Sequence, residues 1–170
     1  MFDKINVNLI VRDHLSTLRN DATKKIGLGD YSLFLLIPIL VFISSTWYGV
    51  ELKENMVTLL ISAFAIFAGL LINVLVLIYT VALRIEDKPH AIYDRTLEIE
   101  FLKEIFSNVS FGILLSIVIV FILALCATLP SAANVYATGF ALLLITEFTF
   151  TFIMSLKRLH ILLSNRLRSE

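Results

Sequence analysis

Four apolar stretches, each long enough to cross a lipid bilayer, constrain this chain more than any other feature. They occupy residues 31–50, 56–83, 106–129 and 135–156. A helix rises about 1.5 Å per residue, so about 20 residues cover the roughly 30 Å of hydrocarbon. Backbone polar groups cannot be left unpaired in lipid, which excludes an open sheet or an irregular loop at that depth and leaves helices. Hydrophobic residues make up 58% of the 170 and the mean hydropathy is +0.89, far from a soluble domain. The expected fold is an all-α membrane protein with four transmembrane helices in two antiparallel hairpins. An N-terminal arm over residues 1–29, a connection over 84–105 and a tail over 157–170 complete it, too little chain for an independent soluble domain.

Charge placement orients these spans. Of the 14 Lys and Arg residues, all but Lys53 lie in the arm, the connection or the tail. By the positive-inside rule both termini and the connection are cytoplasmic, which places the chain as a multi-pass protein of a bacterial inner membrane. The same segments carry Asp13, Asp21, Glu86, Asp87, Asp94, Glu98, Glu100 and Glu104, and the net charge is zero. That mixture excludes a general nucleic-acid footprint, and no direct nucleic-acid partner is expected. The lone Cys126 sits inside the third span and cannot close an intrachain disulfide. The first stretch lacks a cleavage signature and reads as an uncleaved first helix.

The arm has helical periodicity over residues 7–26, with Val11, Leu15, Leu18, Ala22 and Ile26 on one stripe and Arg12, Asp13, Ser16, Arg19, Asn20 and Lys24 opposite. Gly27 and Gly29 end this helix, and Asp30 is placed to cap the next. Pro38 is a kink candidate, and Trp47 and Tyr48 suit the outer interface. The outer connections, 51–55 and 130–134, are too short for a folded extracellular surface. After Pro89 the pattern Tyr93, Leu97, Phe101, Ile105 leads into the third span as one helix, and Leu156, Leu159, Leu163 and Leu167 extend the fourth into the tail. These extensions, with the arm, are expected to meet one another or a cytoplasmic protein partner, Val11, Leu15, Leu18, Leu97 and Phe101 being the docking residues.

Two sets of residues inside the spans stand out. Ala65 and Gly69 in the second, Gly112 and Ser116 in the third, and Ala133, Ala137 and Ala141 in the fourth recur at four-residue spacing, which lets backbones approach closely in lipid, within one protomer or between protomers of a homo-oligomer. Glu147 is the only acidic or basic side chain in a span. It lies ten residues from Lys157, about 15 Å along the helix, and Asn73 lies eleven from Arg84, about 16 Å, so the two share a depth. Such a carboxyl faces a bundle interior, a subunit interface or a watery path. The readings are an interhelical hydrogen bond to Asn73, or a ring of carboxylates lining a channel or a proton-sensitive constriction.

Catalytic chemistry finds little support. No phosphate-binding glycine loop, dinucleotide fingerprint, nucleophile elbow or zinc-protease motif occurs. His14 and His160 lack neighbours at metal-ligand spacing, so neither a metal nor a cofactor is expected, and an enzyme is the minority reading. Arg84 and His90, with five residues between them, are similar to the paired Arg and His of HEPN ribonucleases, a resemblance that implies a membrane-anchored ribonuclease. The runs GLLINVLVLIYT (69–80) and FLKEIFSNVSFGIL (101–114) resemble, in overall pattern and without a diagnostic motif, the small four-span membrane components of bacterial anti-phage defence systems such as Kiwa. That resemblance implies an oligomeric inner-membrane sensor or effector that works with a cytoplasmic partner.

Overall fold

The computed structural model describes residues 6–18, 32–86 and 92–168, and the regular secondary structure among them is all helical. Asp30, Pro89 and His90 fall outside the described residues, as do the side chains of Arg84 and Leu97. Five α-helices follow in order: α1 Asn8–Thr17, α2 Ile37–Trp47, α3 Glu54–Glu86, α4 Ile92–Cys126 and α5 Ser131–Arg168. A π-helical turn, Ser32–Leu36, leads into α2.

That turn has a local cause. Pro38 stands in the first turn of α2, carries no N–H for a carbonyl one turn back, and its ring would crowd that carbonyl. Widening the preceding turn relieves the conflict, so the proline marks a change of helix type. At the other end Gly49 adopts φ +61°. The Val50 N–H bonds the Ser45 carbonyl and the Gly49 N–H that of Thr46, a pair of bonds that needs a left-handed residue between helix and loop.

Three helices are long and apolar enough to cross a membrane: Glu54–Leu83 within α3, Ile99–Cys126 within α4 and Ser131–Ile161 within α5. The fourth apolar segment, Ser32–Trp47, is shorter than a spanning helix requires. Helices α4 and α5 run without a break from spanning segment into their extensions, since no proline interrupts either.

Packing follows a heptad seam. The buried residues of α4 are Leu102, Ile105, Val109, Gly112, Ser116, Ile119, Leu123 and Cys126, alternately three and four apart, with Leu115 beside them, and Ser107 and Asn108 off this row. Those of α3 are Val57, Phe64, Leu71 and Ile78, seven apart. This is the knobs-into-holes spacing of left-handed supercoiling, with α4 central and α3 burying a single narrow row. Helix α5 also packs on α4, and a Cβ at Gly112 of α4 would meet both Leu71 of α3, at 3.3 Å, and Phe148 of α5, at 3.9 Å.

The second expected hairpin, α4 with α5, is a packed pair. The first is not. Among the described residues α2 and α3 share no contact, although only residues 48–53 join them. Helix α2 lies instead on α5, where a Cβ at Gly139 would come 2.9 Å from Thr46 Cγ2 and 3.1 Å from Ser45 Oγ. Gly139 and Phe148 are nine residues apart, half a revolution out of phase, so α2 and α3 occupy opposite flanks of α5. Helix α3 reaches α5 only through rings: Phe64 meets Phe148 at a centroid distance of 5.2 Å, and Phe67 meets Phe148 and Phe152 at 5.6 and 6.4 Å.

At one end of this layer the Ser131 hydroxyl donates to the Glu51 carboxylate, joining the two short connections. Away from that end α1 docks on the middle of α4 around Asn108, and the Arg158 side chain of α5 reaches its C-terminal turn.

Candidate functional site

The arm is held by polar side chains. On α1, His14 and Thr17 are one helical turn apart and both buried, with His14 only 1% exposed. Asn108, on α4, meets both. Its Oδ1 accepts from His14 Nδ1–H at 2.8 Å and from the Thr17 hydroxyl at 2.8 Å, a hydroxyl that also reaches the His14 carbonyl. The Nδ1–H tautomer of a neutral imidazole is the one that this acceptor selects. Phe111, one turn along α4 from Asn108, stacks on the imidazole with centroids 3.9 Å apart and planes 10° from parallel. Phe34, set by the π turn, presents its edge to His14 at 6.2 Å and to Phe150 at 6.1 Å.

Arg158 of α5 closes the cluster. It donates through Nη2 to the Thr17 carbonyl, one of the end carbonyls that α1 leaves unpaired, and its Nη1 lies 3.0 Å from Glu104 Oε2. Three elements distant in sequence thus converge on the C-terminal turn of α1. Helix α1 lies outside the spanning segments, and there burial pushes the His14 pKa down from 6.5 to about 4. The hydrogen bond to Asn108 opposes this shift, and the Arg158 charge adds to it.

Polar capacity is left over. The Nδ2 of Asn108, the Nε2 of His14, the Oγ of Ser107 and the Oγ1 of Thr151 are buried without a hydrogen-bond partner. Unpaired buried groups are rare enough in folded proteins to mark strain or a ligand. Two of them, on Asn108 and Thr151, belong to the wall of a cavity of about 170 Å³ between α3, α4 and α5.

The sequence-derived candidates distribute unevenly around this cluster. The expected docking stripe of α1 is out of phase with what α1 buries: Leu18 is buried and Val11 half-buried, but Leu15 is 52% exposed, and His14 and Thr17 take the contact face. The physical reason is that Asn108 and Arg158 offer hydrogen bonds at this spot, so α1 turns inward a mixed face, His14 and Thr17 among Ile10, Val11 and Leu18, while Arg12, Asp13 and Ser16 stay exposed. Phe101 is half-buried on α4.

Asn73 and Glu147 share a depth but not a face. Asn73 is exposed on the outer side of α3, Glu147 is half-buried on α5, and among the described residues no hydrogen bond joins them. Glu147 precedes Arg158 by eleven residues, three helical turns, and so lies on the same stripe of α5 as the residue that grips α1.

Of the small residues, Gly112 and Ser116 are buried in the seam, and a Cβ on Gly112 would approach Leu71 Cδ1 to 3.3 Å. Ala141 is fully buried, and Ala133 and Ala137 half-buried. Ala65 and Gly69 face outward, and nothing lies within 4 Å of a Cβ at Gly69. Asn108, Thr17 and Gly139 were missed by sequence reasoning. An amide one turn into an apolar run was the available signal for Asn108. Among the described residues no group of His, Cys, Asp and Glu is arranged to hold a metal. Comparison with known protein families, with curated proteins and with solved structures finds no match for this chain.

Proposed function

We propose that the chain is a homo-oligomeric inner-membrane component of a prokaryotic defence or stress system, which responds to or causes membrane disturbance and passes the change to a cytoplasmic protein partner through its arm. The observation that carries this reading is the way α1 is mounted: His14 and Thr17 are locked onto α4 and α5, which leaves Leu9 and Leu15 outward on a helix positioned by the spans. A helix gripped by two spanning helices moves when they move, and exposed leucines beside charged residues suit a protein groove.

The four-span topology belongs to the same proposal. The arm packs at Asn108 and Arg158, away from the Glu51 and Ser131 connections, which supports a crossing by the segment through Ser32–Trp47 with the aromatic pair Trp47 and Tyr48 at its outer end. Both termini then lie on the side that carries all but one of the cationic residues, the cytoplasmic side. The outward face of α3, with Ala65, Gly69 and Asn73 among exposed apolar residues, supports contact between protomers.

The test is co-purification in mild detergent. Leu9→Asp with Leu15→Asp removes the partner while the protein still inserts. Retention of every wild-type partner by this double variant overturns the coupling reading.

A second reading rests on Glu147. A half-buried carboxylic acid on the stripe of α5 that ends at Arg158 suits a small ion channel, and ion flux through liposomes containing the protein alone tests it.

A further inference from the structure

The cavity between α3, α4 and α5 is lined on α3 by Leu71 and Val74, and on the other two helices by residues that include Asn108 and Gly112 of α4 and Phe148 and Thr151 of α5. Its size is comparable to the ~150 Å³ engineered void that takes a benzene ring, so it fits a segment of a hydrocarbon chain. The lining is almost wholly apolar. Its polar members are Asn108, Thr151 and Ser155; the Ser155 hydroxyl donates to the Thr151 carbonyl, whereas Asn108 and Thr151, each 1% exposed, leave Nδ2 and Oγ1 without a partner. The Asn108 amide is therefore divided. Its oxygen is occupied by His14 and Thr17, while its N–H groups remain free for an acceptor.

Position selects the acceptor. Asn108 is five residues from Lys103 and Thr151 six from Lys157, so both lie about 8–9 Å inward of these exposed cations. That depth is the boundary between headgroups and acyl chains. The polar function that a bilayer supplies there is the ester carbonyl, an acceptor without a proton to donate. The entrance also faces lipid, since Phe152 and Leu156 of α5 are exposed at the cavity margin, and α3 touches α5 only through phenylalanine rings.

We propose that this cavity is a binding site for one acyl chain of a glycerolipid, its ester carbonyl accepting a hydrogen bond from the Asn108 side-chain amide with the Thr151 hydroxyl beside it. The site requires only that α3, α4 and α5 stand in a bilayer. It deepens the coupling reading, because the same amide holds the arm, but its test does not depend on any partner or oligomer.

The experiment uses the full chain in vesicles of phosphatidylethanolamine and phosphatidylglycerol, with a trace of phosphatidylglycerol carrying a diazirine in one acyl chain. After illumination, peptides covering 105–112 and 148–159 are expected to be labelled several-fold more than the outward face of α3 over 59–77. Ser155→Phe fills the cavity and brings that labelling down to the level of the α3 face. Thr151→Val, close to isosteric, lowers it with the cavity still open and serves if the phenylalanine variant does not fold. Unlabelled diester lipid competes for the site, and its diether analogue competes several-fold less well. Wall labelling no stronger than that of the α3 face overturns the site, as does full labelling in a folded Ser155→Phe protein. Equal competition by the two lipids overturns the ester contact. Loss of a cytoplasmic partner changes none of these outcomes.

Discussion

His14 and Asn108 are joined by a 2.8 Å hydrogen bond across 94 residues of sequence, and both are almost completely buried. The bond fastens α1 to a helix long and apolar enough to cross a membrane.

Replacing Asn108 with Leu preserves the bulk of the side chain and deletes its acceptor. His14 Nδ1–H and the Thr17 hydroxyl are then buried without it, at a cost of about 1–3 kcal/mol to arm docking. Amide hydrogen exchange over residues 8–17 should accelerate by about one to two orders of magnitude, with the seam residues of α4 still protected. Unchanged exchange in α1 would show that the bond contributes nothing to the attachment.

Arm docking should weaken in acid. His14 has a pKa of about 4 when docked against 6.5 when free, so between these values the released arm binds more protons than the docked one. Docking is at full strength above pH 6.5, declines as the pH falls toward 4, and changes no further below that on account of this group. The depressed value corresponds to about 3 kcal/mol across the window. Arg158 adds to the depression; of the nearby carboxylates, Glu104 is half-buried and paired with Arg158, and Asp13 is exposed. Hydrogen exchange of residues 8–17 at several pH values checks this, and His14→Gln should flatten the profile. An equally steep profile in that variant would assign the effect elsewhere.

Gly139 and Gly69 should respond in opposite ways. Gly139→Leu forces α2 off α5, because even a Cβ would lie 2.9 Å from Thr46 Cγ2, and overpacking of this kind costs about 1–3 kcal/mol. Thermal unfolding in detergent measures the loss. Gly69→Leu meets open space and should leave the protomer within about 0.5 kcal/mol of wild type. If the outward face of α3 joins protomers, that substitution lowers the oligomeric mass seen by native mass spectrometry. An unaltered mass removes this face from the interface.

Glu147 makes no hydrogen bond among the described residues, so Glu147→Gln should leave helix content and unfolding temperature unchanged. A conducting role requires the Gln variant to slow cation flux into liposomes several-fold. Equal flux through the wild-type, Gln and Leu proteins rules the carboxyl out of a permeation path.

The sequence by itself determined the class of this protein and the extent of most of its elements. Long apolar runs leave no choice but helices, since lipid cannot hydrogen-bond a backbone. The absence of proline in the first half of α4 and in the tail of α5 carried those helices into their extensions. Which helix faces which was not legible, because in a spanning segment the residues exposed to lipid are as apolar as those in the seam. The heptad of α4 is therefore invisible against Phe106, Ile117 and Phe121, which are exposed, and the row Val57, Phe64, Leu71, Ile78 does not stand out from Leu59, Ile66 and Leu70.

Only the tertiary structure decided that α2 packs on α5 and leaves α3 alone, a choice made by the absence of one side chain at Gly139. It also decided that α1 buries its histidine and leaves a leucine outside. Periodicity predicts that a helix hides its apolar face, and it does so only where its neighbours offer nothing better. Asn108 and Arg158, brought together from 50 residues apart, offer hydrogen bonds to His14 and to the end of α1, and there a mixed face, His14 and Thr17 among Ile10, Val11 and Leu18, is the one that is covered.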